Sequence, residues 1–170
     1  MIDDYPLIQS FKDFLRLHNR SLMTIRGHIH RLKQFFKFMQ TYPLDHIQEI
    51  STEYLKEYQK YRYAFMNRYD RLDSVRTQNR HLSSIKCFFY FLKVEGYIAH
   101  DPSEALSYAK EPRLLPQSSL THSEMKKILA IPNTTTLIGY RDRTILELLY
   151  STAIRKAELM NLKLMDVDYE

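Results

Sequence analysis

Apolar residues recur along this chain with helical spacing, and polar stretches interrupt them at regular intervals. Leu7, Phe11, Phe14 and Leu15 predict a first helix from about Asp4 to His18, with Pro6 tolerated in its first turn. Asn19 and Arg20 mark a break, and Ser21 can cap the next helix. Leu22, Ile25, Ile29, Leu32, Phe36 and Met39 are spaced 3, 4, 3, 4, 3, which predicts a second helix ending before Tyr42-Pro43. Ile47 and Ile50 predict a short connection tucked against the core. Ser51 or Thr52 then opens a third helix with Tyr54, Leu55, Tyr58, Tyr61 and Phe65 inward. After the polar loop MNRYDRLDS, Ser74 caps a fourth helix, with Val75, Leu82, Ile85, Phe89 and Leu92 as its stripe and Gly96 as its stop. Four such stripes predict a helical bundle.

The periodicity fails over residues 101–119, where Pro102, Pro112 and Pro116 punctuate the chain as in a linker. Beyond it, Thr121 and Glu124 have the spacing of a capping box. Asn133 to Gly139 predicts a loop, and Tyr140 to Ser151 a helix. The tail LKLMDVDYE alternates like the start of a strand. A second domain of about 50 residues buries little surface for its size and is expected to be the front end of a larger one. The expected division is 1–107, a linker at 108–119, and 120–170.

Composition narrows the class. Three glycines suit helices better than sheets. The single cysteine, Cys87, excludes an intramolecular disulfide and points to a reducing, cytoplasmic compartment. No apolar run approaches membrane-spanning length. Nothing has the form of a phosphate-binding glycine-rich loop, and the seven histidines form no metal-ligand grouping. No cofactor, metal or nucleotide is expected.

Charge is unevenly placed. Residues 1–110 hold 17 Lys and Arg against 12 Asp and Glu, and residues 111–170 hold 8 of each, so the whole net charge of +5 lies in the first part. In the second helix Arg26, His30, Lys33 and Lys37 succeed one another at 4, 3, 4 and form a basic stripe, with Arg20 and Arg31 on the far side. In the fourth, Arg76, Arg80, Ser83 and Cys87 repeat that spacing opposite the apolar stripe. Such faces suit a nucleic-acid backbone or groove, and equally suit solvent. Gly27 lies mid-helix, where glycine costs roughly 1 kcal/mol, and marks a close approach by another helix or by DNA.

The sharpest feature is LLYSTAIRKAELMNLKLMDVD, residues 148–168. Arg155 comes after an apolar run (Ile145, Leu146, Leu148, Leu149), with Glu158 three residues on. A buried guanidinium there needs a carboxylate or a ligand anion, so a structural pair with Glu158 and an anion site both stay open.

This segment resembles the first arginine box of the tyrosine recombinases, the family of phage integrases and Xer-type recombinases. The match runs through Leu148, Leu149, Tyr150, Thr152, Arg155, Glu158, Leu159, Leu162 and Asp166. Ala153 stands where the family usually has glycine, and Ala157 where serine is common. Residues 5–100 resemble the family's helical DNA-clamping domain, and DPSEALSYAKEPRLLPQSSLTHSEMKKIL resembles its exit into the catalytic domain.

The resemblance implies a mainly α chain: a four-helix, SAM-like core-binding bundle, a linker, and the first helices of an α+β catalytic domain. It implies duplex DNA as partner, met through the second and fourth helices, and a tetramer on paired sites. It implies a 3′-phosphotyrosine reaction with Arg155 catalytic and Glu158 supporting it. His28 and Arg31 also form a His-x-x-Arg string, the form of the family's second catalytic box, but they lie upstream of Arg155 where that box lies downstream. None of the thirteen tyrosines matches the nucleophile, and Tyr169 stands too close to Arg155. The chain by itself is therefore expected to bind DNA without cutting it. The competing expectation is a non-catalytic helical module that binds DNA or a protein.

Overall fold

The computed structural model describes residues 5–67, 69–112 and 120–168 and is mainly helical. It divides into two compact units, Met1–Arg113 and Leu114–Glu170.

In the first unit, α1 spans Tyr5–Leu17, α2 Leu22–Met39, α3 Thr52–Ala64 and α4 Val75–Val94, with one 3-10 turn at Ile47–Glu49. Local chemistry sets the ends. Ser21 and Ser74 each accept a hydrogen bond from the backbone N–H three residues on, at 3.2 Å, so that the first turns of α2 and α4 lose an orphan donor. Asn19 (φ 53°) closes α1, and Gly96 (φ 76°) closes α4, with the Tyr97 N–H returning to the Leu92 carbonyl.

Helix α4 is the hub, packing against α1, α2 and α3. A central helix buries more than one stripe, so Phe88, Phe91, His81 and Ser84 are enclosed along with Leu82, Ile85, Phe89 and Leu92. Cys87, expected on the opposite face, is half-buried against the core for the same reason. Phe88 meets Phe11 and Phe36 edge-on at ring separations of 5.2 and 5.6 Å, and Phe35 meets Tyr58 at 5.1 Å, the arrangement that ring quadrupoles favour. Leu22 and Tyr61, expected inward, are exposed. On α3 the buried series is Leu55, Tyr58 and Arg62, so an arginine occupies the stripe position.

Arg62 is enclosed with its charge paired, while its buried Nε has no hydrogen-bond partner among the described residues. It is ion-paired with Asp73, its Nη1 donates to Gln34 Oε1 at 3.2 Å, and its guanidinium lies 4.2 Å from the centre of the Phe65 ring. The polar loop before α4 is thereby tied down. A bridge between Met66 and Leu72 closes it, and the Asn67 side chain accepts from the Tyr69 N–H at 2.9 Å.

In the second unit, α5 (His122–Leu129) begins with the capping box: Thr121 and Glu124 bond each other's backbone N–H at 2.8 and 3.2 Å. It packs against α6, Leu137–Thr152. Helix α6 starts three residues earlier than expected because the Thr136 hydroxyl caps Gly139 N–H at 3.1 Å. Gly139 allows this start, since a Cβ there would collide with the Asn133 carbonyl oxygen. Then come α7, Lys156–Asn161, and a 3-10 turn at Leu164–Asp166. That turn replaces the expected strand start. The Asp166 carboxylate accepts from Lys163 N–H at 2.9 Å, a local alternative to sheet pairing, and no strand partner exists among the described residues.

Candidate nucleic-acid interface and the Arg155 turn

Arg26, His30, Lys33 and Lys37 are all exposed on one side of α2, as their spacing requires. His30 is 2.8 Å from Gln34 Nε2. On α4, Arg76 and Arg80 are exposed, but they differ. Arg76 donates to Glu111 at 3.2 Å, while Arg80 has no carboxylate partner among the described residues.

A groove of about 830 Å³ runs between α2, α3 and the start of α4. It gathers His30 and Lys37 from α2 and Arg80 from α4, together with Tyr61 and Phe65 from α3. Arg26, Lys33 and Arg76 lie outside its lining. Asp73 is the one carboxylate among its described lining residues, and Arg62 takes its charge. The open charge of the groove is therefore positive, over walls that are partly aromatic.

Beneath the groove lies a buried polar pair. The Tyr58 hydroxyl is 3.1 Å from His81 Nδ1. Burial, reinforced by the nearby Arg62 and Arg31 guanidinium groups and by His30, pushes the His81 pKa down to about 3, so the ring is neutral. Burial likewise raises the Tyr58 hydroxyl, which stays protonated.

Arg31 does not lie on the far side of α2. It turns into α4, where its Nε donates to Ser84 Oγ at 2.6 Å, and His28 Nδ1 is 3.1 Å from the same oxygen. The His-x-x-Arg string of α2 is thus a helix-to-helix contact. Gly27 accommodates it. A Cβ at that position would come within 3.1 Å of Arg31 Nη2, so the close approach is by this side chain.

Arg155 is not at a buried position. Helix α6 ends at Ala153, which takes the left-handed conformation (φ 53°, ψ 23°) and reverses the chain. Arg155 then serves as N-cap of α7, with its side chain 86% exposed. The apolar run before it is only half-buried, so no desolvation penalty forces a partner on the guanidinium. It nevertheless has one. Its backbone N–H donates to Glu158 Oε2 at 2.7 Å and its Nη1 to Glu158 Oε1 at 2.9 Å. The backbone bond first, and the guanidinium second, hold the Glu158 carboxyl below the usual carboxylate range. Within the same segment, Tyr150 Oη is 3.1 Å from His122 Nδ1, which ties the end of α6 to the start of α5.

Sequence reasoning missed Arg62, His81 and Ser84. For Arg62 a signal existed, since 55, 58 and 62 continue a helical stripe with spacings of 3 and 4.

The chain matches the model of the phage integrase N-terminal SAM-like domain over residues 8–96 and that of the phage integrase family over residues 118–170. It belongs to the tyrosine recombinase, or phage integrase, family. Among relatives of this recombinase-family chain, the tyrosine recombinase XerC of Bacillus pumilus is 30% identical over 169 residues, covering 99% of this chain and 53% of the relative. The XerC of Oceanobacillus iheyensis is 31% identical over 95% of this chain and 51% of its own length. The tyrosine recombinase XerD of Staphylococcus saprophyticus is 32% identical over 95% and 53%. The chain spans about half the length of the curated relatives it matches.

Proposed function

We propose that this chain is the DNA-clamping bundle and the leading part of the α+β catalytic domain of an integrase-type tyrosine recombinase, acting on duplex DNA in the cytoplasm. Residues 1–107 form the clamp, 108–119 the linker and 120–170 the catalytic portion. The observation that carries the reading is the positive face of the bundle. Arg26, Lys33, Lys37 and Arg80 are exposed and unmatched by carboxylates among the described residues, and His30 lies beside them. Such a face gains most from a polyanion, whose bound counterions it releases.

In this reading Arg155 is a catalytic arginine. A tyrosine from outside residues 1–170 attacks a DNA phosphodiester through its hydroxyl oxygen. The O5′ leaves and a 3′-phosphotyrosyl bond forms. Negative charge grows on the two non-bridging oxygens, which an exposed guanidinium fork can meet. Glu158 holds that fork by its Nη1 edge, which leaves the rest of the guanidinium open. The phosphotyrosine conserves the bond energy for rejoining. Four such proteins would act together on paired sites.

The test has two arms. The 170-residue chain should bind a labelled duplex, with log K falling against log salt at about −0.9 per phosphate neutralised; a flat salt response removes the DNA reading. In a chain extended to include the missing tyrosine, Arg155→Ala should lower the rate of covalent protein–DNA adduct formation about 10²–10³-fold. Wild-type adduct formation by that variant removes the catalytic assignment.

A further inference from the structure

We infer that Arg31 is a phosphate-gripping residue of the bundle, pre-positioned by Gly27 and Ser84. The inference rests on the duplex-binding reading and names a contact inside it.

Arg31 is unlike the other cations of α2. Its guanidinium is half-buried and fixed along one edge, where Nε donates to Ser84 Oγ at 2.6 Å. Ser84 is fully enclosed and itself donates to the Arg80 carbonyl at 3.0 Å, so the anchor is rigid. The opposite edge, Nη1 and Nη2, has no hydrogen-bond or ion-pair partner among the described residues. Arg31 lines the same groove as Lys37 and Arg80. Burial, and after it the charge of Arg80, work against the Arg31 charge.

A free edge of two parallel N–H donors matches two oxygens of one phosphodiester. A lysine could not fill both roles, because one ammonium cannot donate sideways to Ser84 and forward as a planar fork. The charge balance selects phosphate over a base edge. A neutral base would leave the repulsion between Arg31 and Arg80 standing, whereas a phosphate placed between them removes it. The glycine fits the same account. Mid-helix glycine is unfavourable by roughly 1 kcal/mol, and here its missing Cβ leaves the space in which the guanidinium folds back, 3.1 Å from where that carbon would stand.

The experiment compares wild type, Arg31→Ala, Arg31→Lys and Ser84→Ala on one labelled duplex across a salt series, with melting recorded for each. Arg31→Ala should flatten the salt slope by about 0.9. Arg31→Lys should keep the slope yet bind roughly tenfold more weakly, because the planar fork is gone. Ser84→Ala should lie between Arg31→Lys and wild type, its slope unchanged. Wild-type slope and affinity in Arg31→Ala overturn the proposal, as does a lowered melting temperature with no change of slope, which would make Arg31 a strut. A loss confined to particular base sequences overturns it in favour of a base contact. The Arg31 Nε–H resonance of the wild-type chain, tracked by NMR during titration with inorganic phosphate, separates this proposal from the reading it rests on. A shift at Arg31 and none at Arg26 supports the anion contact even if the duplex does not bind. No shift at Arg31, with no duplex binding, overturns both.

Discussion

Ala153 holds a conformation that L-residues avoid. Its φ of 53° brings Cβ against the following carbonyl, at a cost of roughly 1–2 kcal/mol. Glycine escapes that cost but loses more entropy on folding, which returns about 0.4–1 kcal/mol. Ala153→Gly should therefore stabilise the end of α6 by about 0.5–1 kcal/mol. The amide of residue 153 bonds to the Leu149 carbonyl at 3.0 Å, so its hydrogen exchange is a direct gauge. Exchange should slow several-fold in the variant. Unchanged or faster exchange would mean that the turn carries no strain. Because this turn sets where Arg155 leaves the chain, the same substitution also tests how firmly the arginine is placed.

At the scale of elements, the seam between α3 and α4 makes the bundle sensitive to acid. His81 is neutral when folded, with a pKa of about 3, against about 6.5 in an unfolded chain. Between those values the unfolded state binds a proton that the folded state refuses. The stability that neutral His81 contributes is therefore complete above about pH 6.5 and falls as pH drops towards 3, by about 1.4 kcal/mol per pH unit. His81→Gln keeps a polar partner for Tyr58 and removes the titration. Subtracting its urea-unfolding free energies from those of wild type should leave this slope between pH 6 and 5. A difference that does not vary with pH would contradict it. Burial also lowers the pKa of His28, and the subtraction cancels that contribution.

The elements themselves were largely legible because their signals are local. Ser21, Ser74 and the Thr121–Glu124 box act within one turn, and the α1 stripe of Leu7, Phe11, Phe14 and Leu15 is buried as its spacing requires. Of the polar interior, only the stripe position of Arg62 was legible. Whether Arg62 turns inward depends on Asp73 and Gln34, and whether Arg31 turns inward depends on Ser84, more than fifty positions away. A one-dimensional pattern assigns every arginine to solvent unless something names its partner. Arg155 failed in the other direction. Its apolar neighbours suggested burial, but the reversal at Ala153 carries it out to the surface. Its pairing with Glu158, an i to i+3 interaction, was legible for the same reason the caps were.

For the molecule as a whole, the two basic helices should not contribute equally to a DNA complex. Arg76 already faces Glu111, so its removal also frees a carboxylate, while Arg80 has no such offset among the described residues. Arg80→Ala should flatten the salt dependence of duplex binding by about 0.9, and Arg76→Ala by clearly less. Equal effects would place both guanidinium groups on phosphate and Glu111 in a spectator role. Both positions are exposed, so each change should alter stability by no more than about 0.5 kcal/mol. A larger drop would reassign the arginine concerned to the architecture of the bundle.

The partial burial of Cys87 makes its reactivity a gauge of how tightly α4 packs. The thiol leans on the core, and burial raises its pKa, so little thiolate meets solvent while α4 stays packed. A chromogenic disulfide reagent should modify it more slowly than free cysteine, and faster when α4 loosens. With one cysteine in the sequence, the trace has a single source, and no label need be engineered. Ligands that tighten α4 should lengthen the delay and substitutions that loosen it should shorten it, each readable in a cuvette without a melting curve.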